Sequence, residues 1–339
     1  MGMKVEQKGH LKLQVGAACL SLFIGALLMG VKFYLYRVTH STAILSDALE
    51  SIINVVASGF ALTSILIASK PPDESHPYGH GKIEYFSAGF EGALIVLAAA
   101  GIFITGLPRV FHPGELPHLG GSLIILFILS LVNLFLAGGL LRVGRRTESL
   151  TLIADGKHVL TDVYTSGGVL LGLWLAHLTG WYRLDGIVAC LVGVNILISG
   201  ASLVRQAFTG LMDASDPDLL NRIADLIAAH RRDPWIDVHQ LRAWRSGSFI
   251  HVDLHLILPR DFSLREAHRE GDILEKAIVE YFEGRAGVLI HTDPCEDADC
   301  PVCRRELCGL RRGERTGELT WSVASLIEQG ARKSRARMK

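Results

Sequence analysis

The sequence has no excess of charge of either sign, since its 34 lysines and arginines are balanced by 34 aspartates and glutamates. Nucleic-acid-binding domains usually carry a concentrated basic face, so this balance gives no indication of a nucleic-acid partner. Two common motifs are also missing. There is no Gly-x-x-x-x-Gly-Lys-Ser/Thr loop for ATP and no His-Glu-x-x-His helix for a zinc protease. With no nucleophile–base pair evident either, we predict that the protein is not an enzyme.

Long apolar runs are scarce in the last third of the chain and frequent before it, and 49% of all residues are hydrophobic. A run of about 20 apolar residues can cross the hydrocarbon core of a bilayer. We therefore predict a transmembrane domain over residues 1–212, a cytoplasmic α+β domain over 213–294, and a Cys-rich, basic tail over 295–339. The predicted membrane helices are residues 15–36, 42–68, 83–107, 119–141, 150–178 and 184–211.

Basic residues are concentrated in alternate loops of this predicted bundle. They are Lys4, Lys8, Lys12, Lys70, Lys82, Arg142, Arg145 and Arg146. Because short cytoplasmic loops carry the excess of Lys and Arg, this pattern places both termini in the cytoplasm. The short loops and simple tail are typical of a prokaryotic protein, so we predict an inner-membrane protein surrounded by lipid.

After residue 212 the order of predicted elements is helix, strand, strand, helix, strand. Asp216 and Pro217 begin a helix that runs to about residue 230, and Ser263 caps a second helix that ends near residue 282. Alternating apolar residues predict strands over residues 238–245, 249–258 and 287–291. This order suits a small α+β sandwich with its helices on one face of the sheet. A short amphipathic helix is expected near residues 319–327 of the tail.

Two predicted membrane helices carry polar pairs with the same spacing. Glu50 and Asn54 are four residues apart, as are His158 and Asp162. Residues four apart project from one helix face, so two helices can supply four ligands to one cation, and this mixture of ligands suits Zn²⁺ and other first-row ions. Alternatively, these groups only hydrogen-bond between helices. The cost of charge inside a membrane favours an ion site. Asp47 is a fifth ligand, a gate or a structural polar group, and we favour the last two roles.

The loop after the second predicted helix contains Asp73, His76 and His80 among glycines. These three side chains can hold a metal at the cytoplasmic mouth, or the loop can be a polar turn with exposed histidines. The spacing does not separate the two interpretations.

Histidines are also concentrated in the predicted soluble domain, where strand ends and a helix start can converge. This pattern favours a cytosolic metal site. The residues are His239, His251, His255, His268 and His291, with Asp293 beside the last.

Four of the six cysteines lie within residues 295–308. Their clustering indicates metal binding in a reducing compartment rather than disulfides. A Cys-x-x-Cys pair with two flanking cysteines predicts a closed structural zinc site, with free thiols or an iron–sulfur cluster as alternatives. The four are Cys295, Cys300, Cys303 and Cys308.

Four segments together resemble the cation diffusion facilitator family of proton-coupled divalent-metal exporters. They are residues 41–50 (STAILSDALE), residues 76–82 (HPYGHGK), Asp155-x-x-His158-x-x-x-Asp162, and residues 289–295 (LIHTDPC). The resemblance implies a membrane α-helical bundle of six transmembrane helices, followed by a metallochaperone-like, ferredoxin-like α+β domain and assembled as a homodimer. It further implies efflux of a divalent cation by metal/proton antiport, with the cation acting as substrate and regulator.

The resemblance also assigns residues to sites. The transport site falls on Glu50, Asn54, His158 and Asp162, the loop site on Asp73, His76 and His80, and the cytoplasmic site on His239, His255, His268, His291 and Asp293. His251 has no counterpart, and the cysteine cluster lies outside the family core. Lys82 and Asp213 match a charge pair that ties the two layers together at the dimer interface.

Asn54 departs from the family pattern, which usually has Asp at this position. Its neutral carbonyl oxygen can bind a cation but cannot exchange a proton. This departure leaves the metal open: the other ligands favour zinc, and manganese, iron, cobalt and nickel are the alternatives. The competing function is a non-transporting membrane metal sensor or assembly scaffold, in which Asn54 marks a disabled pathway.

Overall fold

The computed structural model describes residues 2–39, 42–112, 122–181 and 183–328. The side chains of some further helical residues, including Asp47 and Glu50, lie outside that description. The described chain divides into two compact units, Met1–Met212 and Asp213–Lys339. The first unit contains six long helices. They are α1 (Gly2–Thr39), α2 (Thr42–Ala68), α3 (Ile83–Phe111), α4 (Ser122–Thr147), α5 (Leu150–Thr179) and α6 (Arg183–Leu211).

Five of these helices contain a described stretch that is long and apolar enough to cross a membrane. The stretches are Gly9–Val38, Ser51–Ala68, Ile83–Phe111, Phe127–Thr147 and Gly186–Leu211. The remaining long helix, α5, carries four polar or charged residues within its first half, namely Asp155, Lys157, His158 and Asp162. The predicted number of long helices is thus found, although α5 does not meet the apolar criterion over its described residues.

Close backbone contacts hold α3 against α6. A Cβ atom added to Gly92 of α3 would lie 2.9 Å from the backbone nitrogen of Val204 and 3.1 Å from the carbonyl oxygen of Gly200. A Cβ added to Gly186 of α6 would lie 2.8 Å from the carbonyl oxygen of Gly106. Small residues let membrane helices approach in this way. These contacts fix the rotation of α3, and therefore the direction of the polar residues on its buried face.

The second unit is built on a three-stranded mixed sheet in the order β1-β2-β3. Strand β1 (Asp237–Ser246) pairs antiparallel with β2 (Phe249–Leu258), which pairs parallel with β3 (Ala286–Pro294). Helix α7 (Pro217–Ala229) precedes the sheet, and α8 (Leu264–Tyr281) connects β2 to β3. The predicted fold class, a membrane helical bundle followed by an α+β domain, is confirmed in this architecture.

Local capping explains where the two helices of this unit begin. The Asp216 carboxylate accepts a hydrogen bond from the backbone N–H of Asp218, with Pro217 in the first turn. Ser263 and Glu266 form a capping box at the start of α8. Both caps lie where the sequence predicts them.

The tail packs into the core of the second unit. Trp321 and Leu326 are buried in the same cluster as the apolar residues of α7 and β1. The guanidinium of Arg231 lies 4.2 Å from the centre of the Trp321 ring and donates a 2.6 Å hydrogen bond to the carbonyl oxygen of Leu319. The short helix α9 spans only Val323–Leu326, less than the predicted 319–327. The basic residues 329–339 lie outside the described part of the chain.

Candidate metal transport and binding sites

Three of the four predicted transport residues meet between α2 and α5. The Asn54 side-chain amide donates a 2.6 Å hydrogen bond to Oδ2 of Asp162. Its carbonyl oxygen lies 2.9 Å from Nε2 of His158. The fourth predicted residue, Glu50, is one turn before Asn54 on α2, but its side chain and that of Asp47 are not among those the structure describes.

The orientation of the Asn54 amide determines the protonation pattern around it. A carboxylate only accepts hydrogen bonds, so the –NH₂ group of Asn54 must face Asp162 and its oxygen must face His158. Nε2 of His158 therefore carries the proton in this arrangement. Ligand atoms at about 2.0–2.1 Å from a tetrahedral zinc ion lie roughly 3.3 Å apart, so Nε2 of His158 and the Asn54 oxygen, now 2.9 Å apart, would separate only slightly to share a cation.

A second polar layer lies one helical turn away. Ser58 of α2 donates a 3.1 Å hydrogen bond to Oδ1 of Asp155 on α5, and the hydroxyl oxygens of Ser58 and Ser21 are 3.2 Å apart. Asp155 is wholly buried. Helices α2 and α5 are thus connected by polar contacts at two levels.

Sequence reasoning missed one residue at this site. Glu91 of α3 is wholly buried, and its Oε2 lies 3.9 Å from Nδ1 of His158. The available signal was a carboxylate inside an apolar run, which is expensive in a membrane and therefore informative. That signal cannot show which neighbouring helix the carboxylate faces.

The three loop residues also come together. His76 Nδ1 lies 3.4 Å from one carboxylate oxygen of Asp73, and His80 Nε2 lies 3.3 Å from the other. The donor atoms of all three lie within 4.8 Å of one another. Hydrogen bonds from the Ser75 side chain and the His76 backbone N–H lower the pKa of Asp73 from its ordinary value of 3.8 to about 2. Asp73 is therefore ionised at physiological pH and can bind a cation.

Strand register aligns the histidines of the second unit. His239 of β1 is opposite His255 of β2, which is opposite His291 of β3. His255 Nδ1 lies 2.8 Å from Oδ2 of Asp293, and His291 Nε2 lies 3.2 Å from Oδ1 of the same carboxylate. The donor atoms of His239, His255 and Asp293 lie within 4.8 Å of one another, as a shared cation requires.

The remaining two histidines of this unit lie elsewhere. His268 on α8 is 78% exposed and contacts Asp272 rather than the aligned histidines, so this predicted ligand is not brought to the group formed by His239, His255 and Asp293. His251 is buried and stacks on Trp244, with Phe249 against its edge. It has a packing role within the sheet.

All four clustered cysteines line one small cavity in the second unit. They are free thiols, and burial raises the pKa of the Cys295 thiol. The guanidinium of Arg311 donates hydrogen bonds to the backbone carbonyls of Cys300 and Cys303, which holds the loop around the cavity. Among the described residues, only the loop triad and the strand triad have three donor atoms within 4.8 Å of one another, so these sulfurs would have to move closer to share an ion.

Lys82 and Asp213 belong to different compact units. Lys82 is the residue before α3, and Asp213 follows α6 with a left-handed backbone (φ 54°). Their predicted charge pair stays a prediction.

Comparison with known proteins covers both units. Residues 18–212 match the family model of the cation efflux transmembrane domain, and residues 215–295 match that of the cation efflux protein cytoplasmic domain, a dimerisation domain. The uncharacterized transporter sll1263 of Synechocystis sp. is 36% identical over 279 residues, 81% of this chain and 89% of its own length.

Two further relatives are similar over nearly the same range. The cation-efflux pump FieF of Escherichia coli O127:H6 is 31% identical over 283 residues, which make up 82% of this chain and 92% of that protein. FieF of E. coli K12 is 30% identical over 283 residues, with the same coverage. The family model for the transmembrane domain covers more than half of the chain and lies on the helices that carry the transport residues. The resemblance in the sequence is therefore confirmed, and the chain belongs to the cation diffusion facilitator family of integral membrane cation efflux transporters.

Proposed function

We propose that this protein exports a divalent transition metal from the cytoplasm in exchange for protons, through a site formed by Glu50, Asn54, His158 and Asp162. The main support is the contact of Asn54 with both His158 and Asp162, which places three potential ligands from two helices together. The bacterial relatives fit a location in a prokaryotic inner membrane. The basic residues in alternate loops support the proposal that both termini are cytoplasmic.

Proton exchange follows from the chemistry of these ligands. A metal binds neutral imidazole and ionised carboxylate, so cation loading competes with protons at His158 and Asp162. An inward proton gradient then favours release on the outer side. Zinc suits this mixture of nitrogen and oxygen ligands best, but manganese, iron, cobalt and nickel share the same ligand types.

Purified full-length protein in sealed liposomes with a trapped pH dye tests this proposal. We expect a proton signal when Zn²⁺, or one of Mn²⁺, Fe²⁺, Co²⁺ and Ni²⁺, is added, and we expect Asp162→Ala to abolish it. Asp233→Ala is the matched control, because Asp233 is an exposed residue of the second unit. No proton signal with any ion in wild-type liposomes, despite tight metal binding, would refute antiport.

We propose that the second unit is the regulatory part of the homodimer. The support is the alignment of His239, His255 and Asp293 across the sheet, in a domain whose family model indicates dimerisation. Cation binding there would draw the cytoplasmic domains of two protomers together and bias the membrane domain. We expect the double substitution His239→Ala/His255→Ala to flatten the metal dependence of transport, whereas His112→Ala leaves it unchanged. Wild-type metal dependence in the double variant would contradict this role.

We also propose a structural zinc ion at the cysteine cluster. Four thiols facing one cavity support it, and Zn²⁺ would replace their protons and contract the loop. Elemental analysis of the purified protein is expected to show one zinc fewer per chain in Cys300→Ser/Cys303→Ser than in wild type, with Cys19→Ser as control. Equal zinc content would refute the proposal, and iron with visible absorbance would indicate a cluster instead.

A specific observation favours one competing function. The Asn54 amide contacts both Asp162 and His158, and such hydrogen bonds between helices would also suit a sensor or scaffold whose transport pathway no longer operates. Substitution of Asn54 by Asp separates the two functions, because transport that begins only in the variant would support the scaffold.

A further inference from the structure

Glu91 is a buried carboxylate whose burial no donor among the described residues explains. It lies in the middle of α3 with 0% of its surface exposed. Neither of its side-chain oxygens accepts a hydrogen bond within the part of the chain that the structure describes. An ionised carboxylate placed away from water is costly unless a cation or a donor compensates it. A proton, a bound cation or a donor that approaches Glu91 in the working protein would supply this compensation.

A second buried glutamate of the same helix shows what a structural role looks like. Glu84 lies two turns earlier and accepts a 2.7 Å hydrogen bond from the Ser149 hydroxyl and a 3.4 Å bond from the backbone N–H of Thr151. Those contacts connect the start of α3 to the start of α5 and account for the burial of Glu84. Glu91 has no comparable donors among the described residues, so a helix-connecting role does not account for it.

The surroundings of Glu91 belong to the transport site. Its Oε2 is 3.9 Å from Nδ1 of His158, and its carboxylate is within electrostatic reach of Asp155 and Asp162. The imidazole of His158 therefore lies between two helices, with Nε2 toward Asn54 of α2 and Nδ1 toward Glu91 of α3. An approach of about 1 Å would bring Nδ1 and the carboxylate to hydrogen-bond distance.

The position of the ring proton on His158 decides whether Nε2 can bind a cation. Nε2 carries the ring proton while it faces the Asn54 oxygen, so it has no lone pair to offer a cation. When the ring proton resides on Nδ1 instead, Nε2 becomes a ligand, and the ring holds one proton in both states. A metal-bound histidine usually donates its other N–H to a carboxylate, which fixes the tautomer and the ring orientation. Glu91 is the carboxylate that faces the required nitrogen.

We propose that Glu91 is a positioning residue of the transport site, which accepts the Nδ1–H of His158 and thereby presents Nε2 to the cation. This inference rests on the proposed transport function, and it adds a third helix, α3, to a site otherwise formed by α2 and α5. Because Gly92 packs against the backbone of α6, the preceding residue, Glu91, is held at a fixed height and rotation beside His158.

The test compares three substitutions in full-length protein. Glu91→Gln keeps the size and one acceptor oxygen, Glu91→Leu removes the acceptor, and Ser87→Ala is the matched control one turn earlier on the same buried face. Removing a carboxylate partner of a metal-bound histidine typically lowers metal affinity by about 10–100-fold. We expect Glu91→Leu to raise KM for Zn²⁺ by that factor with a smaller change in maximal rate, Glu91→Gln to lie between Glu91→Leu and wild type, and Ser87→Ala to match wild type.

A double-substitution cycle distinguishes positioning from a general packing role. Zn²⁺ binding to purified protein is measured for Glu91→Leu in the wild-type background and in a His158→Ala background. We expect Glu91→Leu to weaken binding only when His158 is present, because a positioning residue has no effect once its target is gone. An equal loss in both backgrounds, or an unchanged KM in Glu91→Leu, would overturn the proposal.

Failure of the transport function would be recognised separately. If wild-type liposomes give no proton signal, antiport fails, yet the Zn²⁺-binding cycle still reports on Glu91 and His158. If Glu91→Leu does not fold, as judged by gel filtration, Glu91→Gln alone decides: wild-type KM and binding in this isosteric variant would count against a charged partner for His158.

Discussion

Substitution of Asn54 by Asp tests the site at its most unusual residue. In the wild type, the Asn54 amide donates a 2.6 Å hydrogen bond to the Asp162 carboxylate. The variant replaces this donor with a second carboxylate at contact distance. The variant loses a hydrogen bond to a charged group, which is worth about 1.5–3 kcal/mol. It also gains repulsion between the two carboxylates, which amounts to about 4 kcal/mol for unit charges about 4 Å apart at an effective dielectric constant of about 20. The cation-free variant should therefore be less stable than wild type.

A bound cation reverses the sign of this effect. Between the two carboxylates, a divalent ion gains one more charged ligand and removes their repulsion. Desolvation of the ion and of the new carboxylate offsets part of this gain. We expect the binding free energy of the divalent ion to improve by about 1.4–2.8 kcal/mol, which corresponds to a Kd roughly tenfold to hundredfold lower than in wild type. The preference among metals should change as well, because the variant offers a charged oxygen in place of a neutral one.

Thermal unfolding and metal competition measure both halves of this prediction. In chelator, Asn54→Asp should unfold at a lower temperature than wild type, and Zn²⁺ should raise its midpoint by more than it raises that of wild type. Asn133→Asp is the matched control, since it makes the same change in α4, outside the group of site residues. The reasoning is refuted if Asn54→Asp binds Zn²⁺ and Mn²⁺ with wild-type affinities, since Asn54 would then only connect two helices.

Two other predictions concern the support of the site and the loop. Gly92→Ala should force α3 away from α6, which should lower the stability of the protein by about 1–3 kcal/mol and weaken Zn²⁺ binding. Gly101→Ala is the control and should have neither effect, because the structure leaves open space for a Cβ there. Equal thermal midpoints of the Gly92→Ala and Gly101→Ala variants would contradict the packing argument. Because the pKa of Asp73 is lowered to about 2, its charge persists at every pH above that value. Asp73→Asn should therefore weaken Zn²⁺ binding to the loop at pH 7, where the variant lacks this charged ligand, and wild-type affinity in a metal-competition assay would contradict this expectation.

The features that the sequence predicts well are local or periodic. The helix caps at Asp216 and Ser263 follow from nearby residues, and the strand at 249–258 follows from alternation. Asn54, His158 and Asp162 could be paired because spacing of four on each helix limits how two helices present their ligands. The start of α1 was harder to predict: the polar residues after Met1 are helical, although they are not apolar enough to indicate a membrane span.

The features that the sequence could not predict depend on packing between elements. Glu91 is visible as a charge in an apolar run, but its direction toward His158 depends on how α3 packs, including the glycine contacts with α6. The row formed by His239, His255 and His291 depends on strand register, which includes an irregularity after His239. His268 has suitable chemistry for that site, yet α8 places its side chain in solvent.

The contacts within the membrane unit also indicate which helices should move together during transport. Two hydrogen bonds connect α2 to α5, one between Asn54 and Asp162 and one between Ser58 and Asp155. Close contacts at glycines connect α3 to α6 along their length. Between these two pairs, Glu84 connects the start of α3 to the start of α5, but the contact of Glu91 with His158 farther along α3 is longer, at 3.9 Å. We therefore expect a rocking motion to change the distance between α3 and α5 more than that between α2 and α5, as spin labels at the helix ends with and without Zn²⁺ can measure. A larger change between α2 and α5 would mean that the two polar layers separate during transport, and that Asn54 lies on a moving boundary.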